Sequence, residues 1–424
     1  MRSVLAATLV AAVLAASTSL WADPPSKLEV KRRIQEFYKV YENLPENPTP
    51  QQLEELRAKM AAAAEKALEG LELKELDVES RDGLAPAIME SPKHLESIQT
   101  ILEQEATQPD VGGFKAACQR VDFSGADPAK RKAATLAAIA HPGAAAGLSQ
   151  GQGMSLAWAI ESLEDSELAP VQARLAELCK AFGKDATDEA ILLSSTYARA
   201  IRDVMAKEQF EALRQELAAE AAARVEKASP EMKKRLARTA AELNGAALRG
   251  QLVGFPAPAL TITKLFPGPG SSTWTSLADL KGKVVVLDFW ATWCGPCVGS
   301  FPTVKEMREA YSPKDVEIVG VTSLQGFVVS PKAGKVDCKG DAAKEYAALA
   351  DFLKEKEVTW TVAVSEQDVF NPDFGINGIP FVAILDQEGK VVKAGLHPMA
   401  HAEIIDTIDR LLGKTPAAGP PAAK

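Results

Sequence analysis

The chain has 424 residues, of which 46% are hydrophobic and 25% charged, with 48 Lys and Arg against 57 Asp and Glu. This length provides for two or three domains, and the composition excludes collagen, low-complexity disorder and a polytopic membrane protein. A net charge of −9 argues against nucleic-acid or anionic-membrane binding, and five cysteines are too few for a disulfide framework at this size.

Residues 1–22 read as an export signal. Arg2 supplies a positive start, Val4 to Ala16 is apolar apart from Thr8, and small residues lead to a cut site at Ala22-Asp23. The stretch is short for a membrane span, which needs about 20 apolar residues. Leu20 at the −3 position is larger than a peptidase prefers, so cleavage after Ser17 or Ser19, or retention as an anchor, stays open. No later segment reads as a membrane helix. The expected location lies across the inner membrane, in the periplasm or cell envelope, where disulfides persist and thiols need a dedicated electron source.

Residues 23–249 are rich in Ala, Leu, Glu and Lys and predict an all-α domain of seven to nine helices. Thr49-Pro50, Ser91-Pro92, Asp127-Pro128 and Ser229-Pro230 each pair a capping residue with proline at the first helical position. Thr49 and Gln52 make a capping box. Gly143 to Gly153 is assigned to a helix–helix connection. Cys118 falls in step with Phe114, Ala117 and Val121, and Cys179 with Leu175, Leu178 and Phe182. Both therefore belong to apolar helix faces, either as two core thiols or as a structural disulfide, Cys118–Cys179.

The pattern changes at Gly250. Pro and Gly turns punctuate short extended pieces, and Val284 to Trp290 has the look of a buried strand. A helix is expected from Gly295, a strand over 316–321, a helix over 342–356, an extended piece over 361–364, a hairpin from Phe381 to Lys393 and a helix over 404–412. Together they predict an α/β domain over residues 250–413, followed by a disordered tail, 414–424.

Trp293-Cys294-Gly295-Pro296-Cys297 joins the strand to the helix. A cysteine at a helix start feels the dipole and unpaired backbone N–H groups, which favour its thiolate. Cys294 is thus the expected nucleophile, and Cys297, one turn inside, the resolving thiol. No further Cys pair or suitably spaced His accompanies them, so zinc is not expected. His397 and His401 are four apart, but Pro398 and the lack of acidic ligands argue for a turn. Neither metal nor cofactor is expected. Cys338, among Lys335, Lys339 and Gly340, reads as an incidental thiol in an exposed loop.

The segment from Val284 to Pro302 resembles the active-site region of the thioredoxin superfamily, most closely the TlpA/ResA-type exported thiol–disulfide oxidoreductases. Ala257-Pro258, the lead-in Leu277-Ala278-Asp279-Leu280-Lys281-Gly282-Lys283, Gly378-Ile379-Pro380 and Leu385 to Lys390 carry the rest of the likeness. The resemblance implies a thioredoxin-like fold, a redox disulfide Cys294–Cys297 and a cis-proline loop at Ile379-Pro380 that receives the substrate backbone beside Trp293, Gly295 and Pro296. It implies disulfide-bearing exported proteins as substrates, apocytochrome c among the candidates, and a membrane thiol transducer as electron donor. Asp288 matches the buried acid of thioredoxin, a proton acceptor for Cys297. Ser300 stands where many exported members carry an acid, and Phe381 where a threonine commonly follows the proline. The segment 325–340 exceeds a minimal thioredoxin. Gly295-Pro296 between the cysteines favours a reductant.

Two functions are thus in competition: an exported protein-disulfide reductase, or an interaction protein whose longer helical half binds a partner and whose redox domain is accessory.

Overall fold

The computed structural model describes residues 25–41 and 49–414 apart from Ser272 and Pro331. The export segment, with its cut site, and the tail after Lys414 lie outside the described residues. Packing divides the chain into two compact units between Val204 and Met205.

Among the described residues the first unit is all-α. Its helices are α1 (Lys27–Tyr38), α2 (Pro50–Leu68), α3 (Val78–Glu90), α4 (Pro92–Glu105), α5 (Val111–Asp122), α6 (Pro128–Ala140), α7 (Ala144–Ser149), α8 (Met154–Glu161), α9 (Asp165–Leu168), α10 (Gln172–Cys179) and α11 (Asp188–Ile201). Thr49 and Gln52 close the expected capping box, and Asp127 caps α6. Ser91 does not cap; its hydroxyl donates to Glu65 instead. The helices outnumber the expectation because pieces of one or two turns, α7 to α9, lack the length over which an apolar stripe becomes visible. The Gly143–Gly153 connection accordingly contains α7. Among the described residues, no helix is long and apolar enough to cross a membrane.

The second unit opens with the helices α12 (Lys207–Val225) and α13 (Pro230–Asn244), which pack on each other. Buried Arg214 of α12 donates to the carbonyl of Leu243 at 2.6 Å and to Asn244 Oδ1 at 3.2 Å. It thereby satisfies an acceptor that the end of α13 would otherwise leave unpaired. The sequence places these helices with the all-α half, ending at residue 249, but packing groups them with the sheet. The reason is local: the turn after α13 is bonded to Asp373, whose backbone carbonyl accepts from Ala247 N at 3.0 Å.

There follow β1 (Ile262–Phe266), β2 (Val284–Phe289), α14 (Gly295–Gly299), α15 (Phe301–Ala310), β3 (Val316–Ser323), β4 (Phe327–Ser330), β5 (Gly334–Asp337), α16 (Ala342–Glu355), β6 (Thr361–Ser365), β7 (Phe381–Leu385), β8 (Val391–Leu396) and α17 (His401–Leu411). Six strands form one sheet in the order β1-β6-β3-β2-β7-β8, with β6, β3 and β2 mutually parallel and the others antiparallel. The central strands β2 and β3 are buried along their whole length, as strands covered on both faces must be.

Alternation divides β2 between two cores. Val284, Val286 and Trp290 point to the cluster that holds Cys294, Cys297, Val304, Phe352 and Ile404. Val285, Leu287 and Phe289 point to the opposite cluster with Leu252, Trp274, Phe374 and Ile376. Gly320, opposite Asp288 in the parallel pair β2–β3, is needed for space: a Cβ there would lie 2.7 Å from Trp290 Nε1 and 3.0 Å from Trp360 Nε1. Gly320→Ala should therefore cost about 1–3 kcal/mol by overpacking, read as a lowered midpoint in denaturant unfolding. An unchanged midpoint would show that both indoles can move aside.

Candidate active site

The site lies where β2 ends. Trp290 N still donates to Val321 O across the sheet at 3.0 Å, after which the chain turns and starts α14. The turn is closed by Cys294 N donating to Ala291 O at 3.1 Å. Cys294 is the capping residue of α14: its Sγ accepts from Cys297 N at 3.2 Å, and its carbonyl accepts from Val298 N at 3.0 Å. Pro296 sits in the first turn, where no intrahelical N–H is needed.

Cys294 and Cys297 form a disulfide with their Cα atoms 5.3 Å apart. Both are buried, Cys294 at 4% exposure and Cys297 at 1%. The slightly more open sulfur is thus the one that receives a backbone N–H. A hydrogen bond to the charged form lowers a thiol's pKa, so this N–H favours a thiolate on Cys294 once the disulfide opens. The Ile379–Pro380 peptide is cis, and the Ile379 carbonyl oxygen lies 3.8 Å from Cys294 Sγ. The structure therefore brings Cys294, Cys297, Ile379 and Pro380 together.

Asp288 is 2% exposed and shares the alternating face of β2 that points to the core around the two cysteines. Its Oδ1 has no hydrogen-bond partner among the described residues. Burial without a compensating charge pushes its carboxyl up to about 7, because the ionised form loses its hydration. An acid poised there can exchange a proton near neutrality. Ser300, at the place of the acid common in the exported branch, is buried and donates to the Cys297 carbonyl at 2.7 Å.

Trp293 is 39% exposed beside the disulfide. Its Nε1 donates to Gln325 Oε1 at 3.1 Å, and its ring stacks on Phe370 with centroids 6.2 Å apart. The Gln325 loop is held by buried Glu345 of α16, which accepts from Gln325 N at 2.6 Å and Gly326 N at 2.9 Å. Glu345→Ala would leave both amides without this acceptor. It should cost about 2 kcal/mol and speed hydrogen exchange at Gln325 and Gly326; unchanged exchange would show that the loop stands by itself.

The long segment 325–340 forms the hairpin β4–β5. Val329 N donates to Thr292 Oγ1 at 3.1 Å, which ties the hairpin to the redox turn. Cys338, expected in an exposed loop, is only 2% exposed, and its amide donates to Gly326 O at 2.8 Å. Cys118 and Cys179 carry no disulfide and are two buried thiols. Desolvation on their apolar helix faces raises both, Cys179 to about 12, so neither is an activated nucleophile. No group of His, Cys, Asp and Glu among the described residues could hold a metal ion. His397 instead sits in a turn, accepting Met399 N on Nδ1 at 3.1 Å.

The sequence marked the segment from Gln325 as one that shapes access to the site, but missed Phe370, which touches Trp293, and Glu345, which holds the Gln325 loop. No local signal marks these two, since both lie far along the chain from Trp293.

A parallel-centred sheet with a redox disulfide at the strand–helix junction and a cis-proline beside it defines the thioredoxin-type dithiol oxidoreductases. The Redoxin family model matches residues 252–409. Thiol-disulfide oxidoreductase ResA of Bacillus cereus is 28% identical over 141 residues, which are 33% of this chain and 68% of that protein. ResA of Bacillus subtilis (strain 168) is 28% identical over 130 residues, 31% of this chain and 62% of its own length. Among solved structures, a thiol:disulfide interchange protein from Bacteroides sp. is similar at 22% identity and a TM-score of 0.29, covering 39% of this chain and 93% of its own. Through residues 252–409 the chain is similar to the ResA-type thiol–disulfide oxidoreductases. Its activity is that of a thiol–disulfide oxidoreductase.

Proposed function

We propose that the protein is an exported disulfide reductase that acts on cysteine pairs of other exported proteins. The observation that carries this reading is the Cys294–Cys297 disulfide, with a backbone N–H on Cys294 Sγ and the cis-Pro380 loop alongside. In the reduced enzyme the Cys294 thiolate attacks a substrate disulfide. A new S–S bond forms to Cys294, and the substrate's first sulfur leaves as a thiolate that takes up a proton. Cys297 then gives its proton to the Asp288 carboxylate and attacks Cys294 Sγ. This expels the second substrate thiolate, to which the proton passes. Two thiols of the enzyme are oxidised, one substrate disulfide is reduced to two thiols, and Cys294–Cys297 closes.

In this reading Trp293, Gly295, Pro296, Ile379 and Pro380 receive the substrate chain around the attacked sulfur. Apocytochrome c, whose cysteines must be reduced before haem attachment, is one substrate of the right chemistry. A membrane thiol transducer recharges the enzyme from outside the oxidising compartment. The export segment 1–22, the helical part to residue 249, whose last two helices pack with the sheet, the redox domain 250–413 and the tail from 414 complete the proposed organisation. The alternative, a partner-binding helical half with an accessory redox domain, rests on the length of that half and on its negative charge, which follows no enzymatic motif.

The test is insulin reduction by the dithiothreitol-charged full chain, together with capture of native partners by Cys297→Ser in the envelope. Reduction with partners linked through Cys294 supports the proposal. Absence of insulin reduction and of any captured protein contradicts it.

A further inference from the structure

The helices α12 and α13 precede the sheet in sequence, yet one continuous line of side chains runs from α13 to the redox turn. The guanidinium carbon of Arg238 lies 4.9 Å from the centre of the Phe370 ring. Phe370 is stacked with Trp293 at an interplanar angle of 28°. The indole N–H of Trp293 ends the line on Gln325. Arg238 is itself oriented by Nε donating to Glu242 Oε1 at 2.8 Å.

The turn that follows α13 also anchors the segment that carries Phe370. Ala246 N donates to Asp373 Oδ1 at 3.2 Å. Gly245 passes so close that a Cβ there would lie 2.2 Å from Pro372 O, and one on Gly375 would lie 2.7 Å from Ala247 Cβ. From Phe370 this segment continues to Ile379 and Pro380, so one anchored loop supplies both the stacking partner of Trp293 and the cis-proline.

We infer that Arg238 and Phe370 are positioning residues for Trp293, and that α13 is part of the surface on which a protein disulfide docks. This rests on the reductase reading above and specifies its substrate class. The preferred disulfide lies in a polypeptide, with apolar groups next to its cysteine that pack on the exposed part of the indole. A cation over the Phe370 ring and the stacking of that ring on Trp293 restrict the orientations open to the pair. Released from them, the indole samples rotamers that do not receive the polypeptide. The loss falls on capture of the substrate rather than on sulfur exchange.

The experiment uses the full-length protein with Arg238→Ala, Phe370→Ala and Arg238→Lys. Insulin reduction is measured alongside reduction of Ellman's reagent, a small disulfide with no polypeptide to dock. The two alanine variants should raise KM for insulin about three- to tenfold with kcat nearly constant, and should lower the insulin-to-Ellman ratio of kcat/KM by the same factor. Arg238→Lys, which keeps a cation, should recover most of the difference. Equal losses on both substrates, or an unmoved KM in both alanine variants, overturn the inference. The indole N–H resonance of Trp293 is read in the same variants, independently of turnover. A shift or broadening with Arg238→Ala and recovery with Arg238→Lys supports the positioning role; an unmoved resonance overturns it even if the wild-type protein reduces no insulin.

Discussion

Cys294→Ser is expected to lower reduction of protein disulfides by at least about three orders of magnitude, the scale for loss of a covalent nucleophile. A serine hydroxyl at that position meets the same Cys297 N–H but cannot ionise near neutrality or displace sulfur from a disulfide. Cys297→Ser differs in kind. Cys294 still attacks, yet nothing remains within the helix turn to expel the substrate, so the reaction halts with the substrate joined to Cys294. The adduct should be released by dithiothreitol and should map to Cys294 by peptide mass. Retention of more than a few per cent of turnover by Cys294→Ser, or adducts on another cysteine, would contradict these roles. Cys118 and Cys179 are poor candidates for such adducts, because both are buried among apolar helices and their thiols are held protonated.

Asp288→Asn is expected to stabilise the oxidised protein by about 4 kcal/mol at pH 8 and by almost nothing at pH 3. The native carboxyl titrates near 7, against an ordinary value of 3.8. Between these two values the unfolded chain has released the proton and the native protein has kept it. Stability from this group is therefore highest below about pH 4, falls as the pH rises toward 7, and stays low above it. At about 1.4 kcal/mol for each pH unit, the interval amounts to the stated figure. Asparagine keeps the shape and has no charge to desolvate, so its unfolding free energy should lack this slope. The same substitution should slow release of the mixed disulfide above pH 7, since Cys297 loses its proton acceptor. Parallel stability profiles for wild type and variant would show that Asp288 does not titrate in this range.

What was legible in the sequence was what neighbours in the chain decide. Val284 to Trp290 is apolar enough to be a central strand, and Cys294 to Cys297 spans one helical turn, so the redox turn could be located from residues alone. The hairpin strand Phe381–Leu385 and the helix from Ala342 were legible for the same reason. The helical half showed its longer helices through their caps, while α7 to α9 were too short to show a period. The supports of Trp293 were not legible. Arg238 meets Phe370 across 132 positions, and Glu345 reaches the Gln325 amide across 20; neither has an unusual local pattern. Cys338 read as exposed because its flanking lysines are polar, whereas the folded chain buries it. Placing α12 and α13 with the sheet likewise depended on the tertiary contact between Ala247 and Asp373.

The central claim is that Cys294 and Cys297 donate electrons rather than accept them, and the equilibrium reduction potential of that pair tests it most directly. With Cys118, Cys179 and Cys338 replaced by alanine or serine, the pair is equilibrated in dithiothreitol buffers of known poise and its oxidised fraction is read by thiol alkylation. The Gly295-Pro296 dipeptide predicts a value in the thioredoxin range, about −270 mV. A value near that of a strong oxidant, about −120 mV, would contradict the reductase and turn the proposed direction of the reaction around.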